Sequence, residues 1–428
     1  MKPQAIHGIL TAIGESNQSV NLKNHLRGLG AKTYIVEKNY TDKNYLIDYA
    51  TFHCRNFDPP STLTKRVHCF DMHVPENYIE RSINDIRFRK SLCQAYLGSI
   101  IVKPILSEEG YPLIGKTILK PPNHVEKGRD SFITVENKTN LYGIDYTTTT
   151  LPFQTQDIAV GACATTCLWI AQYPLNSQFD IPLRTPAEIT MAASSFPTEY
   201  RIFPSGGLTI EQMFQYIHNI DLEKDVISVK KIPLEIREQF IPLLIKIYIN
   251  AGLPIIASLE LKKGCNPSYH AVVISGYHES NDGLITKIYV HDDQIAPYCT
   301  TISDDNFVTW HNNWIDKYHY DSISVERLIM PIYNKLRLPY SSIYKLFSQF
   351  QSELTESNFS CCLFLIQVNR YKASLLKMGV KNITEVLSAP LPRFLWIMRV
   401  KLDSTFVYDA VYDGTSAIPK QLRIIEGI

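Results

Sequence analysis

Apolar and polar positions along the chain fall into runs whose period changes with position. The stretch from Asn24 to Leu29, ended by Gly30, predicts a short helix. Thr33-Tyr34-Ile35-Val36-Glu37 alternates and predicts a strand. Tyr78 to Tyr96 carries Ile79, Ile83, Ile86, Leu92 and Tyr96 at helical spacing and predicts one continuous helix. Gly98 to Pro104 and Ile114 to Leu119 read as a strand pair around a polar loop. Two further short strands are expected at Phe132–Val135 and Leu141–Ile144. An apolar helix then begins at Cys163, directly after Gly161-Ala162.

The middle of the chain carries strong start and stop signals. Thr185-Pro186-Ala187-Glu188 has a cap, a first-turn proline and a glutamate placed to close a capping box. Thr209-Ile210-Glu211-Gln212 repeats that logic and predicts a helix to about Ile220. Leu234 to Ala251 reads as a long helix closed by Gly252, with Pro254 to Leu259 following as a buried strand. Later come a helix over Ser341–Leu354, a strand over Cys362–Val368 and a hairpin of Phe394–Val400 with Phe406–Gly414. The last residues, from Ser416, read as a tail. The order, helices before strands in the centre, gives an α+β class.

The pattern also suggests three regions. Lys120 to Asp130, with Pro121-Pro122-Asn123, is a connector, and composition shifts again past Pro331. The expected division is 1–125, a mixed N-terminal region; 126–330, the core; and 331–428, a C-terminal α+β region. A length of 428 residues with 45% hydrophobic content allows large cores. The net charge of +1 argues against nucleic acid as the main partner. No stretch reads as a secretory signal or a bilayer span. Nine scattered cysteines do not form a disulfide framework, so reduced thiols in the cytosol are expected. His53, Cys54, His68, Cys69 and His73 cluster in sequence, but not at the tight paired spacing of a zinc site. Neither a metal nor an organic cofactor is expected.

Chemistry concentrates in three stretches of the core. Cys163 opens its helix, where free N–H groups favour a thiolate. His270 heads the run Ala271-Val272-Val273-Ile274, and Asp292 and Asp293 end the run Ile288-Tyr289-Val290-His291. In this reading Cys163 is the nucleophile, His270 the base and Asp292 the acid that orients it. Gln156, seven residues before Cys163, or Gln154, nine before, is the candidate for an oxyanion partner. Asp293 should alternate away from the site, so that only one acid faces His270. His291 should point to the face opposite Asp292, with contact to substrate left open. Cys167, one turn deeper, reads as a packing thiol.

Cys163-Ala164-Thr165-Thr166, His270 through Gly276-Tyr277, and Val290-His291-Asp292-Asp293 together resemble the papain-like cysteine peptidase superfamily. The likeness is nearest the bacterial branch that includes the leader peptidases of peptide exporters. There are departures. Ala164 stands where glycine is usual, and His291 and Asp293 stand where asparagine and proline are usual. The resemblance covers about the middle half of the chain and implies a nucleophile helix packed on an antiparallel sheet. It implies hydrolysis of a protein or peptide amide bond. The flanks, which carry no nucleophile–base set of their own, are expected to restrict access or choose the substrate without supplying chemistry. Two alternatives share these residues: an inactive papain-like interaction or sensing module, and an amide-transforming relative such as a deamidase or acyltransferase.

Overall fold

The computed structural model describes residues 2–123, 126–157, 159–197, 201–312, 319–354 and 358–428. It is a mixed α+β structure built on antiparallel sheets. The N-terminal region forms a five-stranded sheet in sequence order: β1 (Gln4–Ala5), β2 (Thr33–Tyr40), β3 (Thr64–Phe70), β4 (Tyr96–Leu106) and β5 (Pro112–Leu119). The helices α1 (Leu10–Ile13), α2 (Asn17–Gly28), α3 (Lys43–Thr51), α4 (Tyr78–Asn84) and α5 (Ile86–Gln94) connect its strands. Helix α2 starts well before the expected Asn24, because Ser16 accepts from the Ser19 N–H and caps it. The helix expected from Tyr78 to Tyr96 is two. Asp85 leaves the helical conformation and accepts from the N–H groups of Arg87 and Phe88, starting α5.

β6 (Arg129–Phe132) leads into a hairpin of β7 (Val135–Leu141) and β8 (Ile144–Thr150). Leu141–Ile144, expected to be a strand, is instead the hairpin turn. Tyr142 and Gly143 take positive φ of 53° and 80°, which no strand accommodates. Next come α6 (Cys163–Phe179), α7 (Pro186–Ala193), α8 (Ile210–Asn219), β9 (Leu222–Ser228) and α9 (Leu234–Ala251). Both expected capping boxes form, at Thr185 with Glu188 and at Thr209 with Gln212.

The central sheet comes after α9: β10 (Ile255–Lys263), β11 (Asn266–Glu279), β12 (Ile285–Asp292), β13 (Ala296–Thr301) and β14 (Ser322–Tyr333). Its order is β13-β12-β11-β10-β14-β9, with β6 also paired to β11. Helix α6 crosses the sheet, and its buried face from Ala164 to Phe179 joins Ile255, Val272, Ile274 and Leu328 in one core cluster. Gly276 permits the pairing of β11 with β6, since a Cβ there would lie 2.5 Å from the Phe132 ring and the Ser131 carbonyl.

The expected division at 330 falls inside β14, which runs on to Tyr333 and is paired on both edges. Residue 125, the other division, lies outside the described residues. A four-stranded sheet closes the chain: β15 (Phe359–Gln367), β16 (Phe394–Leu402), β17 (Thr405–Asp413) and β18 (Gln421–Glu426). β18 pairs with β17 where the sequence suggested a tail. Leu363, Leu365, Phe394, Trp396 and Met398 from this sheet belong to the same core cluster as α6. No described helix is long and apolar enough to cross a membrane.

Candidate active site

The turn that presents Cys163 is held from several sides. The Val160 and Gly161 N–H groups donate back to the Asp157 carbonyl. Thr190 of α7 donates to the Val160 carbonyl at 2.8 Å and meets Thr165 of α6 at 3.2 Å. Gly161 fits because a Cβ there would lie 2.7 Å from Thr165 Cγ2. Ala162 takes the N-cap position in extended conformation with no side-chain cap. The first N–H groups of α6 are therefore left without the hydroxyl or carboxylate that usually occupies them, and Cys163 is half-buried at that tip.

β-sheet register brings the other groups to the same place. His291 pairs with Val273, an odd number of positions from His270, so the two point to opposite faces. Asp292, one further, shares the His270 face and lies diagonally across from it. His270 Nε2 is 3.1 Å from Asp292 Oδ1, which also accepts from the Gln294 N–H at 3.0 Å. The Cys163 thiol is a further neighbour of His270 that favours its charged form. Burial opposes charge on His270. The Asp292 charge and hydrogen bond, the Cys163 contact and the Asp293 charge outweigh it and hold the imidazole well above its ordinary value.

Asp293 differs from expectation. It does not alternate away: its Oδ1 lies 3.7 Å from His270 Nε2. The strand ends at Asp292 and its register with β13 shifts between Val290 and Asp292, so alternation no longer governs the next residue. Among the described residues, His270, Asp292 and Asp293 are the group of such side chains close enough to share a metal ion, with candidate ligand atoms within 4.8 Å of one another. The same atoms already form a hydrogen-bonded histidine–carboxylate pair, the arrangement of an oriented general base.

The remaining candidates separate. Cys167 is buried, and burial, with Asp293, Cys163 and Asp292 nearby, pushes its thiol far up. His291 lies in the interface with the N-terminal region, its ring edge-on to Phe153 and to Tyr298. Burial and the neighbouring His25 push it down to about 3, and it is sealed from any substrate. Gln156 is half-buried and Gln154 buried in the stretch before Cys163. The partners of Asp292 Oδ1 are His270 and the Gln294 N–H.

Sequence reasoning missed the support behind the turn. Asp157, buried, stands 3.5 Å from His53 Nε2 and 3.7 Å from Lys103 Nζ, both buried and both from the N-terminal region. Asp48 of α3, also buried, accepts from the Ala187 N–H at the start of α7. Phe153 pairs through its backbone with Thr117 of β5. Behind the acid turn, Asn21 donates to the Ile295 carbonyl, and His25 stacks on Tyr298 with centroids 5.8 Å apart. A histidine and a lysine far upstream carry no local pattern that announces such contacts. No family model matches this chain, and no curated protein sequence matches it either.

Proposed function

We propose that this protein is a cysteine-dependent amide hydrolase with a papain-like core, acting on a protein or peptide. One observation carries the reading. A cysteine at an uncapped helix tip, a buried histidine and a buried carboxylate, distant in sequence, converge in the order nucleophile, base, acid. Cys163 attacks the carbonyl carbon after its proton passes to His270 Nδ1. The thiolate–imidazolium pair is favoured because Asp292 compensates the positive charge from the far side of the ring. The tetrahedral oxyanion meets the free N–H groups at the α6 tip, with Gln156 as the candidate side-chain donor. His270 then hands its proton to the leaving amine. The resulting thioester is cleaved by water, with His270 again taking a proton.

The competing readings share Cys163 and differ in the fate of the acyl group. An amide-transforming enzyme passes that group to another acceptor or releases ammonia. An inert module does not ionise Cys163. The test is incubation of the purified chain with a proteome and mass spectrometry of new peptide termini, beside Cys163→Ala. New termini that vanish in the variant support hydrolysis. Their absence, with ammonia release or acyl transfer instead, supports the relative; absence of all three supports the module.

A further inference from the structure

Two acids, not one, close on His270. Asp292 and Asp293 approach Nε2 at 3.1 Å and 3.7 Å. They are 0% and 2% exposed. Among the described residues, Oδ2 of Asp292 and both oxygens of Asp293 have no hydrogen-bond partner beyond the backbone N–H of Asp293 itself. A neutral imidazole offers one N–H, which satisfies one acceptor. Two carboxylates sealed around a single donor repel each other, and one of them is favoured to keep a proton. The other titratable groups facing them among the described residues are thiols: Cys163 and Cys167 on α6, and Cys299 on β13. None of these thiols brings a second positive charge.

We propose that Asp293 is a second positioning residue for His270, the two acids sharing one proton while the imidazole is neutral and both carrying charge once it is an imidazolium. This rests on reading Cys163 and His270 as nucleophile and base. When the thiol proton moves to His270, the new positive charge favours loss of the shared proton to solvent. The imidazolium is then held by two carboxylates. Burial and the Asp292 charge push the Asp293 carboxyl up to about 7 against the pull of His270, so it is poised to change charge near neutrality.

Each carboxylate raises the pH at which His270 gives up its proton. An opposite charge this close moves such a titration by about 1–3 pH units. The test uses the full chain as wild type, Asp292→Asn, Asp293→Asn and the double variant. His270 titration is followed by nitrogen NMR of the histidine rings, assigned with His270→Gln. In parallel, Cys163 alkylation by a limiting dose of iodoacetamide is mapped by mass spectrometry across pH.

Each single variant should lower the His270 titration by about 1–3 pH units and leave Cys163 the fastest-labelling cysteine. The double variant should lower it further and remove that lead. An Asp293→Asn titration that superimposes on wild type overturns the proposal. So does Asp292→Asn alone matching the double variant. If wild-type Cys163 labels no faster than the other eight cysteines, the nucleophile reading itself fails, while the ring titration still decides the role of Asp293. Asp293→Ser, smaller and equally uncharged, replaces Asp293→Asn should the latter not fold.

Discussion

His53, on a short helical turn of the N-terminal region, lies 3.5 Å from Asp157, whose carbonyl anchors the turn leading to Cys163. The contact ties the α6 tip to a part of the chain more than a hundred residues earlier. Burial works against charge on Asp157, but the nearby His53 ring and the Lys103 charge keep its carboxyl below the ordinary range. His53→Ala removes the first of these and leaves a buried carboxylate undercompensated. The expected cost is about 3 kcal/mol, read by chemical denaturation. Cys163 alkylation should slow as the turn loosens. Unchanged stability and unchanged labelling would show that the contact is incidental.

Cys163, not Cys167, should react. Cys163 is half-buried at the helix tip, whereas Cys167 is buried with its thiol pushed far up. Cys163→Ala should abolish turnover and fast alkylation while the circular dichroism spectrum stays the same. Cys167→Ala should keep both, at about 1 kcal/mol of stability for a small buried side chain. Mapping iodoacetamide adducts on the wild type decides it, and a first adduct at Cys167 would reverse the assignment.

Asp293 should make the fold lose stability as the solution becomes alkaline. Its folded pKa, about 7, lies above the ordinary value of 3.8, so the folded state prefers the proton. That preference stabilises the fold fully below about pH 4 and is lost as pH rises through about 7. Asp293→Asn removes the dependence. Its stability relative to wild type should rise between pH 4 and pH 8 by up to about 4 kcal/mol, at about 1.4 kcal/mol per pKa unit. Urea denaturation at both pH values measures it. A difference that is flat with pH would contradict the buried-proton view.

His291 should act at the other end of the scale. Its pKa is depressed to about 3 from 6.5, so the unfolded chain binds a proton that the folded chain refuses. Stability is therefore whole above about pH 6.5 and falls as pH drops toward 3. His291→Phe should flatten that acid limb by roughly 2–4 kcal/mol in thermal or urea unfolding. The same slope in variant and wild type would place the acid sensitivity elsewhere.

A fragment of residues 126–330 should not fold as a stable unit. It cuts β14 before its last residues and removes Trp396, Phe394 and Leu363 from the shared core. It also uncovers Phe153, His291 and Tyr298, and strips Asp157 of His53 and Lys103. Broad, low-temperature melting of the fragment beside a sharp transition in the full chain is the expected result. A cooperative fragment that labels at Cys163 would show the flanks to be dispensable.

What the sequence made legible was local. Capping at Thr185 and Thr209 is a matter of four residues, and both helices start where those residues say. Cys163 at a helix start, and His270 and Asp292 on neighbouring strands, came from short runs bounded by clear turns. Features set by partners far along the chain were hidden. β14 sits between β10 and β9, a pairing that no short-range pattern encodes. Asp85 breaks a run whose apolar spacing continues straight through it, because a side-chain cap outweighs periodicity there. Asp293 departs from alternation because it lies one residue past the strand end. His53 and Lys103 gave no sign of their contact with Asp157, since burial of an ion pair is a property of the assembled fold.

The strand order has a consequence for biosynthesis. β9 is made before β10 to β13 yet must wait for β14 before it joins them. On the ribosome, Cys163 emerges long before His270, and His270 before the strand that completes the sheet. A nascent chain therefore carries Cys163 without the completed central sheet until synthesis has passed Tyr333. The environment of the His270–Asp292 pair is therefore finished late in translation, after most of the chain has been made.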